Sequence, residues 1–182
     1  MTDLLRERVL AIACGYLDCN DLDTLRKGPA FIMACGRLPE SGIGLAFQPT
    51  LSRLENAPSL RDPIWMSRGM VDLWRKIYAR APKAITLDID DTADIVHGHQ
   101  QLSFFNAHQD ERCFAPIHIY DAATAHCVAT ILRPGKTPVG KEARAHLRRL
   151  VRSNRMHWPK THIVIRGDSH YGRIEPMASC EK

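Results

Sequence analysis

The run AITLDIDD, residues 84–91, restricts the fold of this chain more than any other stretch. Ile85, Leu87 and Ile89 alternate with Thr86, Asp88 and Asp90. A period of two puts the aliphatic side chains on one face of a strand and the acids on the other. Asp91 and Asp94 follow closely and read as turn residues. Acids packed this densely repel one another, and the chain around them is basic, with 25 Lys and Arg against 20 Asp and Glu and a formal net charge of +5. Folding alone does not ask for such a cluster, so a cation is the expected occupant.

Pro82 divides the sequence into two textures. Before it, the apolar residues recur at helical spacing. Leu5, Val9, Ile12 and Ala13 form the apolar stripe of a first amphipathic helix, and PAFIMACGRL reads as another that ends near Gly36. QPTLSRLENA places Pro49 in a first turn, with Leu51 and Leu54 facing inward. A longer helical pattern runs through RDPIWMSRGMVDLWRKIYAR to Ala81-Pro82. Residues 1–80 therefore read as an α-helical region and residues 81–182 as a separate domain.

The second part has strand periodicity. After ITLDID, the segment QLSFFN is a candidate start of a further strand that the expected order leaves out. FAPIHIYDAATAHCVATILRPG reads as two strands joined at Asp121–Ala125. Residues 140–158 predict a helix with the apolar stripe Ala143, Leu147, Leu150 and Val151, and THIVIRGD a last strand. The expected order is β-β-β-α-β, which makes the chain α/β in the α+β sense.

With 45% hydrophobic residues the chain is globular rather than disordered. No run reaches the length of a membrane helix, and the start MTDLLRERVL mixes charges too freely for a signal peptide. Six cysteines without a C-x-x-C pair fit a reduced, cytoplasmic protein. The positive balance suits a polyanion such as DNA.

Side-chain alternation sorts the acids. Asp88 and Asp90 share a face, and Asp90 lies at the carboxyl end of its strand, where α/β sheets commonly place their sites. Asp168 ends the last strand in the same way. If the two strands are parallel neighbours, these carboxylates meet, and an all-oxygen pair favours Mg²⁺ or Mn²⁺. His97 and His99 form an H-x-H that either binds a metal or belongs to a polar loop. Arg144, Arg148, Arg152 and Arg155 make a basic row that tracks phosphates or simply faces solvent. Ser52 and Arg53 lie near the start of a helix suited to docking on DNA.

Two family resemblances can be weighed. Asp88-Ile89-Asp90-Asp91-Thr92 resembles the first motif of haloacid-dehalogenase phosphohydrolases, with Asp88 as nucleophile and Asp90 as acid/base. That fold needs helical crossovers where this chain predicts a β-hairpin, and the later acid that family places four residues after Asp168 is Gly172 here. QPTLSRLENAP, LDIDDTADIVHGHQ, FFNAHQDERCFAPIHIYD, ATILRPG and IVIRGDSHYG together resemble the DDE-type transposases of bacterial insertion sequences, group 1. This second resemblance runs nearly the whole chain.

It implies a helical, DNA-binding N-terminal region followed by the first half of a ribonuclease-H-like core, with the last strand beside the first. It implies Asp90 and Asp168 as catalytic, metal-holding acids for a pair of Mg²⁺ or Mn²⁺ ions, with Asp88 in support. It implies strand cleavage and strand transfer on insertion-sequence ends and target DNA, by a chain that can self-associate. The family's third acid, a later glutamate, has no counterpart: Glu175 and Glu181 follow Asp168 too closely. The expectation is thus a truncated transposase, inactive alone, with a non-catalytic DNA-binding remnant as the alternative.

Overall fold

The computed structural model describes every residue except Ile43, Leu60, His97–His99 and Lys182, so the H-x-H pair lies outside the described residues. The chain divides into two compact units, Met1–Pro63 and Ile64–Lys182.

The first unit is helical: α1 (Thr2–Ala13), α2 (Leu22–Leu25), α3 (Pro29–Ala34), a 3₁₀ turn (Pro39–Ser41) and α4 (Gln48–Asn56). Ala11, Cys19, Leu22 and Leu51 form its centre, with Leu4, Leu25, Phe31, Ala46 and Leu54 around them. Leu51 and Leu54 thus face inward as their spacing predicts. The first helix is turned differently from expectation. Leu5, Val9 and Ile12 are exposed, whereas Glu7, Arg8 and Ala11 are buried. Partners for the two charges explain the choice. A carboxylate oxygen of Glu7 accepts the Ala46 N–H at 2.9 Å. Arg8 pairs with Glu55 and donates to the carbonyls of Tyr16 (3.0 Å) and Leu17 (2.6 Å). Buried charges need such partners, and the other Glu7 oxygen, without a hydrogen bond among the described residues, lies 3.9 Å from Arg37.

The last helix before the sheet is α5 (Asp62–Arg75), and the unit boundary falls in its first turn. The strands that follow are β1 (Ala84–Asp91), β2 (Asp94–Ile95), β3 (Phe104–Asn106), β4 (Glu111–Phe114), β5 (Ile117–Asp121) and β6 (Cys127–Ile131). Then come α6 (Gly140–His157), β7 (His162–Gly167) and α7 (Ile174–Cys180). The main sheet has the order β6-β5-β1-β7. The β1–β5 and β5–β6 pairs are antiparallel, and β7 lies parallel to β1. An antiparallel meander, a crossover helix and a fourth strand beside the first make up the first half of a ribonuclease-H-like core. The hairpin β5–β6 occupies the stretch where a haloacid-dehalogenase fold requires a helical crossover, so that alternative loses its structural basis.

Phe104–Asn106 do not enter this sheet as their apolar character suggests. They pair with β4 in a separate small sheet of order β2-β4-β3. A turn at Gln100–Ser103, with Leu102 at φ 66°, precedes this three-residue strand. Asp91 and Asp94 are likewise strand residues rather than turn residues, closing β1 and opening β2.

One face of the main sheet carries the core. Ile85, Leu87 and Ile89 of β1, Ile117 and Ile119 of β5, and Val128 of β6 pack against Ala143, Leu147 and Leu150 of α6. Val71 and Trp74 from α5 join them, and Trp74 stacks edge-on against Trp158 at 5.2 Å and Tyr78 at 6.0 Å. Burial of this aliphatic and aromatic surface drives the unit's folding. Beneath it sits Asp121, fully buried, accepting hydrogen bonds from Trp74 Nε1 and Thr124 Oγ1 at 2.9 Å, Ala123 N–H at 3.0 Å, and the Tyr78 hydroxyl. Burial pushes the Asp121 carboxyl up, but its donors outweigh that and hold it below the usual carboxylate range. Among the described residues no helix is long and apolar enough to cross a membrane.

Candidate metal-binding and DNA-processing cleft

The parallel register pairs Asp88 with Arg166 and Ile89 with Gly167, the last residue of β7, so Asp90 and Asp168 each lie one residue beyond the last pair. Gly167 permits this approach. A Cβ there would lie 2.9 Å from an Ile89 methyl and 3.1 Å from the Tyr171 Cβ. Asp90 and Asp168 line one cleft of about 280 Å³, together with Asp91, Ala93, Asn106, His108, Gln109, Ala115, Thr137 and His170.

Backbone amides orient the two acids. Asp90 Oδ1 accepts the Asp91 N–H at 2.8 Å, and Asp168 Oδ1 accepts the His170 N–H at 2.9 Å. The second oxygen of each carboxylate has no hydrogen-bond donor among the described residues. Turn bonds from Tyr171 N–H to Asp168 O (3.1 Å) and from Gly172 N–H to Ser169 O (3.3 Å) fold GDSHYG back beneath the strand ends.

The other acids of the cluster are committed elsewhere. Asp88 faces the same side as Asp90 but is gripped by Arg166, whose Nε and Nη2 each donate at 2.6 Å. Asp91 accepts the Tyr171 hydroxyl at 2.9 Å. Burial, reinforced by that carboxylate, moves the Tyr171 hydroxyl far above the ordinary tyrosine range and keeps it a donor. Glu175 lies against the start of α6, where a Cβ on Gly140 would come within 2.3 Å of its Oε2. Among the described residues no group of three or more His, Cys, Asp or Glu side chains is gathered closely enough to hold a metal ion.

A pair of outward-facing carboxylates with free oxygens fits a hard divalent cation whose remaining positions are filled by water. Sequence reasoning left the neutral residues of this cleft without a role. Asn106, His108 and Gln109 lie in the FFNAHQDERCF stretch, far from either acid in sequence. The nearest clue was His170, two residues beyond Asp168.

The predicted DNA-contacting residues are placed as follows. Arg148 and Arg152 are exposed along α6 and Arg144 is half-buried. Arg155 donates to the Thr161 carbonyl, tying α6 to the start of β7. On α4, Ser52 is half-buried and Arg53 exposed, its Nε donating to the Pro49 carbonyl at 3.1 Å.

The family model for the transposase DDE domain, group 1, matches the chain over residues 1–182. The chain belongs to that family. No curated protein and no solved structure matches it. In this transposase-family chain, the parallel β1–β7 pair brings the ends of both strands, and with them Asp90 and Asp168, to one cleft.

Proposed function

We propose that this chain is the part of a DNA transposase that supplies two of the three metal-holding acids, Asp90 and Asp168, for strand cleavage and strand transfer at insertion-sequence ends. The observation that supports this reading is that the β1–β7 register ends one residue before Asp90 and Asp168, and that both acids line one cleft. When bound, a pair of Mg²⁺ or Mn²⁺ ions supplies the positive charge that activates a water or 3′-hydroxyl and stabilises the leaving oxygen in phosphoryl transfer. Asp90 and Asp168 would hold the ions. Asp88 lies on the same face behind Asp90, its charge offset by Arg166, and supports the site without joining it. The exposed arginines of α6 and Arg53 of α4 give the DNA's phosphates positive side chains to meet. The helical region through residue 80 serves DNA binding, and paired DNA ends bring copies of the chain together.

With no third carboxylate joined to Asp90 and Asp168 among the described residues, turnover by this chain alone is expected to be slight. The test measures Mn²⁺ binding by electron paramagnetic resonance and DNA nicking in parallel. Asp90→Asn and Asp168→Asn should each abolish Mn²⁺ binding in a protein that remains folded. Robust nicking lost in Asp88→Asn but kept in Asp168→Asn would sink the assignment.

A further inference from the structure

The small sheet β2-β4-β3 is inserted between β1 and β5, and its β3–β4 hairpin brings Asn106, His108 and Gln109 into the cleft that holds Asp90 and Asp168. The hairpin is fixed at its base. Arg112 Nη2 donates to the Ser103 carbonyl at 2.5 Å, and the Ala115 N–H donates to the Arg133 carbonyl at 3.1 Å. Gly135 lies so flat on Cys113 that a Cβ would fall 2.2 Å from the Cys113 carbonyl oxygen. Lys136 sets its ammonium 4.6 Å from the centre of the Phe104 ring.

The tip is closed on itself. Asn106 Oδ1 accepts the His108 N–H at 2.9 Å, the Asn106 carbonyl accepts the Gln109 N–H at 3.1 Å, and Asp110 takes the left-handed conformation at φ 53°. That leaves the His108 imidazole and the Gln109 carboxamide exposed, with no hydrogen-bond partner among the described residues. Asp110 and Glu111, next in sequence, do not line the cleft.

The cleft therefore has two chemically different walls. Carboxylates at the ends of β1 and β7 form one. An amide, an imidazole, a second amide and the Thr137 hydroxyl make up the other, and all of these are hydrogen-bonding groups other than carboxylates. His170 adds a buried Nε2 without a partner. A metal and a scissile phosphate suit the first wall. The second suits a base edge, since a carboxamide can bond two atoms of an adenine at once.

We propose that the β3–β4 hairpin holds the nucleotide next to the scissile phosphate, with His108 and Gln109 hydrogen-bonding its base and Asn106 maintaining the turn that presents them. This rests on the reading of the cleft as the DNA-processing site. The test uses the full chain and a fluorescent random-sequence duplex carrying a 3′ overhang, made either of deoxyadenosines or of abasic sites, which keep the phosphates and remove the bases.

The unmodified chain should prefer the deoxyadenosine overhang by roughly tenfold, the range of one good bidentate contact. His108→Ala and Gln109→Ala should each erase most of that preference while leaving affinity for the abasic overhang unchanged. A photoreactive thymine in the overhang should cross-link to residues 106–109 of the unmodified chain. Equal affinity for both overhangs, or cross-links confined elsewhere, overturns the proposal. If Mn²⁺ binding still depends on Asp90 and Asp168 in that case, only the hairpin's role falls. If the chain binds no duplex at all, the DNA-processing reading falls with it.

Discussion

Asp88 and Arg166 face each other across the parallel β1–β7 pair, joined by two hydrogen bonds of 2.6 Å. Arg166 thereby neutralises the acid two positions before Asp90 on the same face. Removing that neutralisation should raise the cleft's attraction for cations. Arg166→Gln is expected to tighten Mn²⁺ binding by roughly three- to fivefold, from Coulomb attraction across one strand step in a wet environment. Asp88→Asn should weaken it by a similar modest factor, far less than Asp90→Asn. Titration of Mn²⁺ against the three variants at low ionic strength checks this, and added salt should shrink the Arg166→Gln effect.

Asp121 makes stability depend on acid pH. Its folded-state value lies below that of an unfolded carboxyl, so its contribution is complete above roughly pH 4 and is lost as pH falls through the folded value. Asp121→Asn removes acceptor capacity from a site ringed by donors, among them Trp74 and Tyr78. It should cost roughly 2–4 kcal/mol and flatten the acid limb of the stability curve. Urea unfolding across a pH series is the measurement.

Tyr78 extends the same network to alkaline pH. Burial, helped by Asp121, pushes its hydroxyl up to about 12. Unfolded tyrosine ionises near pH 10, so between roughly 10 and that higher value the folded state keeps a proton the unfolded state has lost. The Tyr78 contribution should be level below about pH 10 and fall as pH rises above it. In Tyr78→Phe that fall should shrink but not vanish, because Tyr171 is raised as well.

Much of the second unit was legible in sequence because period-two alternation and turn residues act locally. Ile85, Leu87 and Ile89 had to face one way whatever lay beside them, and the helix stripe of Ala143, Leu147 and Leu150 left little choice of face. The neighbour relation of β1 and β7 was different in kind, since it came from a resemblance and became visible only in the assembled sheet. The face of α1 was misread because two stripes competed. Leu5, Val9 and Ile12 have the apolar periodicity, yet Glu7 and Arg8 are inside because Ala46, Tyr16, Leu17 and Glu55 satisfy them. Partners so distant in sequence leave no periodic trace. The non-carboxylate side of the cleft escaped notice for the same reason, as Asn106, His108 and Gln109 gain meaning only from where the inserted hairpin places them.

Gly135 should tolerate no side chain. The atom a Cβ would meet at 2.2 Å is a backbone carbonyl oxygen of Cys113, which cannot swing aside as a flexible side chain would. Gly135→Ala is expected to destabilise by about 1–3 kcal/mol and to loosen the small sheet before the main one. Hydrogen exchange should show the loss of protection first at β4, including Phe114, whose bridge to Pro134 adjoins the glycine. A uniform loss across β1 and β5 would instead mean that the small sheet does not open independently.

The α6 arginines should leave a salt signature on DNA binding. Arg148 and Arg152 are exposed and Arg144 half-buried, whereas Arg155 is occupied with the Thr161 carbonyl. If the row tracks DNA phosphates, replacing Arg144, Arg148 and Arg152 with glutamine leaves up to three phosphates with their counterions still condensed. The slope of log affinity against log salt should then become shallower by about one for each phosphate no longer neutralised, alike for unrelated DNA sequences. Arg155→Gln should behave differently, lowering thermal stability through the freed Thr161 carbonyl while changing that slope little. A triple variant with an unchanged slope would show that the row only faces solvent, and DNA binding would then have to come from other basic residues, such as Arg53 on α4.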